Sequence, residues 1–366
     1  MKRRIFLSLV TLQVAVLVVI IGYRLTRPAL EVTAELAPAN WTHVEDVLLP
    51  SLVFDVEPNY YLLKWDREML FFYRLLWTEP SPVIKGYLGG KALVLSLSPL
   101  QDQGMRNLKK FCADDIAFTP SGETIVLATI EEPSRQPGGE SAISQLFLVY
   151  NSAGRLVRKF EVTPYRFYSI AVADDSTLWA FGYKIGVPRN KDYPMLVKLS
   201  LEGRVLGGFH SRTLHSPDEK VVASRPFGAP KLFVQDSRVG LWVAAAGEFF
   251  EYNIDGQLIQ KLSFKERLLS LGQHLGRDGR VEVTFLGWHR SDRFLAQVRT
   301  TKDLGDFWEI DFRTYELNGA RQWIQLGPST ALPSPGRILA LDSSGRVICV
   351  RHGSKQEPLM TIYDPA

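Results

Sequence analysis

Polar turns divide this chain into short apolar runs, and three of those divisions are versions of one another. They are YNSAGRLVRKF from Tyr150, KLSLEGRVLGGF from Lys198 and YNIDGQLIQKL from Tyr252. Each joins an apolar run to a second one through a turn that contains glycine, which predicts a β-hairpin. Aligned on Gly154, Gly203 and Gly256, and then on Gly319 in YELNGARQWIQL, the motif recurs at steps of 49, 53 and 63 residues. Glycine suits such turns because it takes a positive φ at no steric cost. A second family of turns interleaves with the first. It comprises DIAFTPSGETIVLAT (Gly122), SIAVADDSTLWAFGY (Ser176), LFVQDSRVGLWVAAAG (Gly240), TFLGWHRSDRFLAQV (Asp292) and RILALDSSGRVICVRHG (Gly345), at steps of 54, 64, 52 and 53 residues.

Two hairpin families that alternate with a unit length near fifty describe a repeated four-stranded antiparallel unit, with strands A to D. The earliest unit is NYYLLKWDREMLFFYRLLW, turning at Asp66-Arg67, followed by PVIKGYLGGKALVLSLS, turning at Gly89-Gly90. That makes six units. The last, from Gly336, has A, B and C (PLMTIYD) but ends at Ala366 without a D, while VEDVLLPSLVFD, Val44 to Asp55, stands unused before the first. An N-terminal strand that completes the C-terminal unit closes a ring and removes its open edges. The fold class expected is therefore all-β, a six-bladed β-propeller over 44–366 closed by an N-terminal strand. A seven-bladed ring or a pair of β-sandwiches stays open as an alternative.

On DIAFTPSGETIVLAT, FLVYNSAGRLVRKF and SIAVADDSTLWAFGY, with the same pattern at 232–264 and 338–351, the chain resembles the six-bladed β-propellers of bacterial envelopes, loosely of the NHL-repeat type. The resemblance covers nearly everything beyond residue 46. It implies an architecture and no single activity, since such propellers include binding modules, scaffolds and hydrolases.

The N-terminus changes the picture of where the propeller stands. After residues 1–4, the nineteen residues from Ile5 to Tyr23 carry no charge. A helix rises about 1.5 Å per residue, so this run comes close to spanning a hydrocarbon core of about 30 Å. No small-residue cleavage site adjoins it, which favours an uncleaved transmembrane signal-anchor helix over a removed signal peptide. Lys2, Arg3 and Arg4 precede it against Arg24 and Arg27 after it, so the positive-inside tendency leaves the propeller on the extracytoplasmic, periplasmic side. Residues 24–43, rich in Ala, Pro and Thr, read as a linker.

Composition adds few constraints. Of 366 residues 46% are hydrophobic and 22% charged, which is ordinary for a globular protein, and aromatics at 11% suit strands. Cys112 and Cys349 fall on non-neighbouring units and read as two separate thiols. The chain carries a net charge of +4, unevenly placed: the D-to-A connections hold thirteen basic and seven acidic residues. A basic rim there concentrates anionic ligands. The candidate ligand-binding residues are Arg106, Lys109, Lys110, Arg166, Arg225, Lys231 and Arg337. The B-to-C loops, with eight basic and nine acidic residues, dilute that signal if they share the face.

The competing chemistry comes from the resemblance. Six-bladed lactonases and related esterases hold calcium in the channel, which here points to Asn59, Asp114, Asp115 and Glu282 near the inner-strand starts. Calcium wants six to eight oxygens, and Lys231 and Arg337 in the same ring oppose it. Asp114 and Asp115 serve equally as a strand-entry turn. No histidines are spaced i, i+4 for a zinc helix, and His210 and His215, five apart in a connection, read as solvated. There is no G-x-S-x-G, phosphate loop or dinucleotide fingerprint. Trp179 and Trp242 fall at equivalent places in strand B and read as packing between units rather than as a stack for a quinone cofactor. The anchor argues against nucleic acid. Segment 131–145 reads as a flexible excursion, and 207–231, the longest connection, as a lid or partner loop. Together these features favour a non-enzymatic platform that needs no cofactor and binds an envelope protein or anionic ligand.

Overall fold

The computed structural model describes residues 37–38, 41–48, 61–66, 69–74, 83–88, 91–96, 110–132, 142–215, 229–235, 237–275, 279–289, 293–303, 308–317, 323–327, 337–341, 346–352 and 358–365. The apolar run Ile5–Tyr23, most of the linker, Asn59, Arg106, Lys109 and Arg225 lie outside them. Among the described residues no helix is long and apolar enough to cross a membrane.

Two N-terminal strands, β1 (Ala37–Pro38) and β2 (Trp41–Leu48), precede the first sheet, β3 (Tyr61–Asp66), β4 (Met69–Arg74), β5 (Val83–Leu88) and β6 (Lys91–Ser96). The second sheet is β7 (Lys110–Phe118), β8 (Thr124–Glu132), β9 (Ala142–Tyr150) and β10 (Leu156–Phe160). The third is β11 (Tyr165–Val172), β12 (Leu178–Lys184), β13 (Pro194–Leu199) and β14 (Val205–Ser211). The fourth is β15 (Lys231–Gln235), β16 (Arg238–Val243), β17 (Glu248–Asn253) and β18 (Leu258–Ser263). Helix α1 (Lys265–Leu275) leads to the fifth, β19 (Gly279–His289), β20 (Arg293–Asp303), β21 (Trp308–Leu317) and β22 (Trp323–Gly327). The sixth is β23 (Arg337–Leu341), β24 (Val347–His352) and β25 (Pro358–Pro365), with β2 as its fourth strand. Each sheet is an antiparallel meander; β1 adds to the fifth in parallel, Ala37 opposite Leu326. The fold is all-β and propeller-like. First strands touch from β3 through β7 and β11 to β15 and from β19 to β23, a Lys231 hydrogen bond links β15 to β19, β23 returns to β3, and β2 pairs antiparallel with β25 from Trp41↔Pro365 to Leu48↔Leu359. The closing strand starts three residues before the expected Val44, because Trp41, Thr42 and His43 also find partners on β25.

The core lies in the seams between sheets. In β8, Ile125 and Leu127 join the cluster shared with the third sheet, whereas Val126 and Ala128 join the one that includes Leu95 of β6. Alternate side chains leave opposite faces of a strand, and here both faces are covered, so the run reads as continuously apolar. The outer hairpins explain the three related motifs. Asn151 Oδ1 accepts from Ala153 N at 3.1 Å and Arg155 N at 3.0 Å, and Asn253 Oδ1 from Asp255 N at 3.1 Å and Gln257 N at 2.8 Å. Ser200 Oγ does the same for Glu202 N and Arg204 N, and Gly154, Gly203 and Gly256 take φ of 73°, 87° and 85°.

Three expectations are corrected. The β15–β16 turn is carried by Ser237, at φ 60°, and not by Gly240, which sits inside β16 opposite Phe233. With that turn shifted, Trp179 and Trp242 lose their equivalence: Trp179 stands opposite Ala171 and packs on Phe209, while Trp242 stands opposite Lys231 in another seam. The connection before β19, expected as loop, contains α1, which buries Leu268 and Leu271 against the seam of the fourth and fifth sheets. Cys112 and Cys349 are not joined in a disulfide, and burial pushes the Cys349 pKa up to about 12.

Candidate functional site

The strands nearest the ring centre are tied together by side chains. Asp115 on β7 accepts from Ser169 Oγ at 2.9 Å and from Ile170 N at 2.7 Å, both on β11, and from Ile116 N at 2.9 Å. Ser169 Oγ in turn accepts from Leu232 N on β15 at 3.0 Å. Lys231 donates its ammonium to the Thr284 carbonyl of β19. Thr284 Oγ1 lies 3.0 Å from Gln297 Oε1, which also accepts from Ile338 N of β23 at 2.8 Å. A polar clasp thus runs through five of the six sheets. Four of the inner strands carry a bulge beside it, at Asp114, Tyr168, Thr284 and Leu339. A bulge re-aims one side chain without ending the ladder.

The clasp decides the fate of several expected site residues. Asp115 is buried and spent on β11, and Lys231 is spent on β19. Glu282 pairs with Arg299, its cross-strand neighbour, at 2.5 Å. Lys110 opens β7 and Arg337 opens β23. Asp114 is not a strand-entry turn but the bulged residue within β7, held by Thr129 Oγ1 at 2.5 Å and Gln145 Nε2 at 2.9 Å. Burial lifts its carboxyl above the ordinary range, against the pull of these hydrogen bonds and of the Arg166 charge. Gln145 also closes on β11, donating to Phe167 O at 2.9 Å and accepting from Phe167 N at 2.7 Å. Among the described residues no three His, Cys, Asp or Glu side chains converge on a point. Asp114, Asp115 and Glu282, the described members of the expected calcium set, each make separate contacts: Asp114 with Thr129 and Gln145, Asp115 with β11, and Glu282 with Arg299.

Arg166 has a different setting. It stands opposite Tyr183 on β12, and the Tyr183 ring stacks on Tyr168 at 5.8 Å between centroids. Burial, and then Tyr183, raise the Tyr168 phenol well above its usual pKa. Lys184 lies 5.4 Å over the Tyr165 ring. Ile185 N donates to Pro164 O at 2.7 Å, which folds the following loop back over this corner. Arg189 and Lys191 are exposed on that loop, and the Arg189 charge reaches Tyr193 at its end. Gly182 makes the corner possible, because a Cβ there would stand 2.0 Å from Arg166 O. Sequence reasoning found Arg166 but missed Lys184, Arg189, Lys191 and the tyrosines. Their signal, the run KIGVPRNKDY, was lost when the charge of all B-to-C loops was averaged.

The two histidines expected in solvent are buried instead. His210 and His215 are 4% and 6% exposed, with their Nε2 atoms 2.8 Å apart, and His210 Nδ1 lies 2.6 Å from the Tyr252 hydroxyl.

No protein-family model matches this chain, and no curated protein matches its sequence. Among solved structures it is similar to a member of the DUF4221 family from Bacteroides vulgatus, at 11% identity and a TM-score of 0.46, over 89% of this chain and 98% of that one. It is also similar to PorZ, described as an essential bacterial surface component of the type-IX secretion system of Porphyromonas gingivalis, at 11% identity and a TM-score of 0.37, over 83% and 46% of the two chains. A third is an endo-arabinase from Bacteroides thetaiotaomicron, at 9% identity and a TM-score of 0.32, over 86% and 95%. These likenesses concern the fold alone, and no sequence-level match supports the NHL-type repeat.

Proposed function

We propose that this chain is a six-bladed β-propeller on an N-terminal membrane anchor, standing on the extracytoplasmic side as a rigid platform for an anionic ligand or the acidic surface of an envelope protein. The observation that carries the reading is the corner of the third sheet, where Arg166, Lys184, Arg189 and Lys191 gather beside stacked tyrosines. Aromatic faces beside cations hold the cationic side chains in place, and their charge is what attracts an anion. The clasp supports the same reading, since a pre-ordered surface loses little freedom on binding.

The test uses the full-length protein in detergent, with retention on phosphocellulose as a polyanion probe and capture from envelope extract as the search for a partner. In low salt the wild type is retained. High salt, or Arg166→Glu with Arg189→Glu and Lys191→Glu, weakens retention about tenfold or more while leaving thermal unfolding cooperative. Retention that survives both conditions sinks the platform at this corner. Lys191→Cys, reacted with an impermeant maleimide on spheroplasts, reports the side: labelling is expected from outside.

A further inference from the structure

The strand that ends the third sheet delivers two buried histidines into contact, and we propose that His210 and His215 form an acid-sensitive latch that holds the loop of the binding corner and releases it as the pH falls. The consequence for ligand rests on the platform reading above; the latch itself does not.

His210 is the penultimate residue of β14 and takes φ 52°, a left-handed conformation that is uncommon outside glycine. Its ring packs between sheets, 5.9 Å from Phe181 of β12 and 4.5 Å from Phe250 of β17. A helical turn, Arg212–Leu214, follows directly and brings His215 back onto it. Arg212, 2% exposed, donates Nη1 to His215 O at 3.1 Å and its backbone N–H to Tyr193 O at 2.9 Å. Tyr193 is the last residue of the loop that carries Arg189 and Lys191. The histidine pair, the helical turn and the binding loop are therefore one hydrogen-bonded chain.

Protons pull that chain apart. Only one proton fits between two Nε2 atoms 2.8 Å apart, so a doubly charged pair cannot keep its contact. Even the first charge enters a poor setting. Burial is the main force lowering both histidines, His210 well below its ordinary value and His215 to about 4. Lys261 of β18 opposes charge on both, and Arg212 opposes it on His215. Tyr252 of β17 offers a neutral hydroxyl, and Glu248 of the same strand is the acidic group that draws a proton towards His215. Opened to water, both rings return to a pKa near 6.5. Protons then bind the open form first, so the closed latch is complete above about pH 6.5 and weakens as the pH falls towards about 4. For one such histidine, opening rises roughly thirtyfold between about pH 7.5 and about pH 5, and for both it approaches about a thousandfold.

Hydrogen exchange of the full-length protein in detergent, corrected for the intrinsic pH dependence of exchange, tests this. Peptides covering His210–His215 should lose protection at least roughly thirtyfold over that interval, while Leu178–Lys184 on β12 keeps its own. His215→Gln should flatten the dependence, and His210→Gln with it should abolish it. Equal protection of His210–His215 at the two pH values overturns the latch, as does an undiminished pH dependence in the double variant. If the variants fail to fold, the wild-type profile still decides. Phosphocellulose retention at both pH values is read separately. A working latch with no retention defeats only the platform, and retention without an acid-sensitive segment defeats only the latch.

Discussion

Asp115 is buried where three donors from two strands meet its side chain, and the same atoms join the second sheet to the third. Removing it leaves two backbone N–H groups and a hydroxyl to find other partners inside the ring. Asp115→Ala should cost about 3 kcal/mol or more in a denaturant titration, since each orphaned buried group costs about 1–3 kcal/mol. Arg166→Ala, half-buried beside the clasp, should change stability by far less than it changes binding. A loss no greater for Asp115→Ala than for Arg166→Ala would show that the clasp is not a structural tie. Residue by residue, turn chemistry was the most legible part of the sequence. Gly154, Gly203 and Gly256 are where a turn demands a positive φ, and each follows, three residues on, the Asn or Ser whose side chain caps the turn. Ser237 was missed because a non-glycine residue takes the left-handed conformation there, while Gly240, which drew the alignment, is a glycine for another reason: the rings of Phe233 and Phe249 occupy the space its Cβ would need. The histidine pair was illegible, because spacing in a connection says nothing of the phenylalanines that fold over it.

At the scale of elements, the strands followed from apolar runs bounded by polar turns, and the helix did not. In α1 the apolar residues Leu268, Leu271 and Leu275 recur at helical spacing, and the first two are buried. The charged start KER and the position of the segment between two units made it look like solvated loop. Its worth lies on one face only. Leu268→Ala should cost about 2–5 kcal/mol by leaving a cavity in the seam under the fifth sheet, whereas Leu269→Glu, on the exposed side, should stay within about 0.5 kcal/mol. Equal effects of the two changes in thermal unfolding would mean that the helix does not pack as described. The basic corner illustrates the opposite error. Arg166 was visible on its strand, but the residues that complete its setting come from the next hairpin, brought across by the pairing of Arg166 with Tyr183.

For the whole molecule, the repeat was legible because the second to fifth sheets bury both faces against their neighbours and so must restate the same apolar pattern. What the repeat could not convey is the polar chain through the centre, whose members, Asp115, Ser169, Lys231, Thr284 and Gln297, share no residue type, although Asp115 and Ser169 both directly follow a bulge in the first strand of their sheets. The join of first and last strands is the other global feature. Deleting residues 1–48 removes both β1 and β2 and bares the edge of β25. That protein should unfold at lower temperature and associate through the exposed edge, seen as a shift in light scattering; an unchanged, monodisperse protein would mean the join is dispensable. The join also has a consequence in time. Trp41–Leu48 is synthesised well before its partner Pro358–Pro365. The sheets between them can form while the sixth still lacks β25, and throughout that interval β2 has no strand to pair with. An unpaired strand edge is a template for pairing with another chain, so the interval is when association competes with closure.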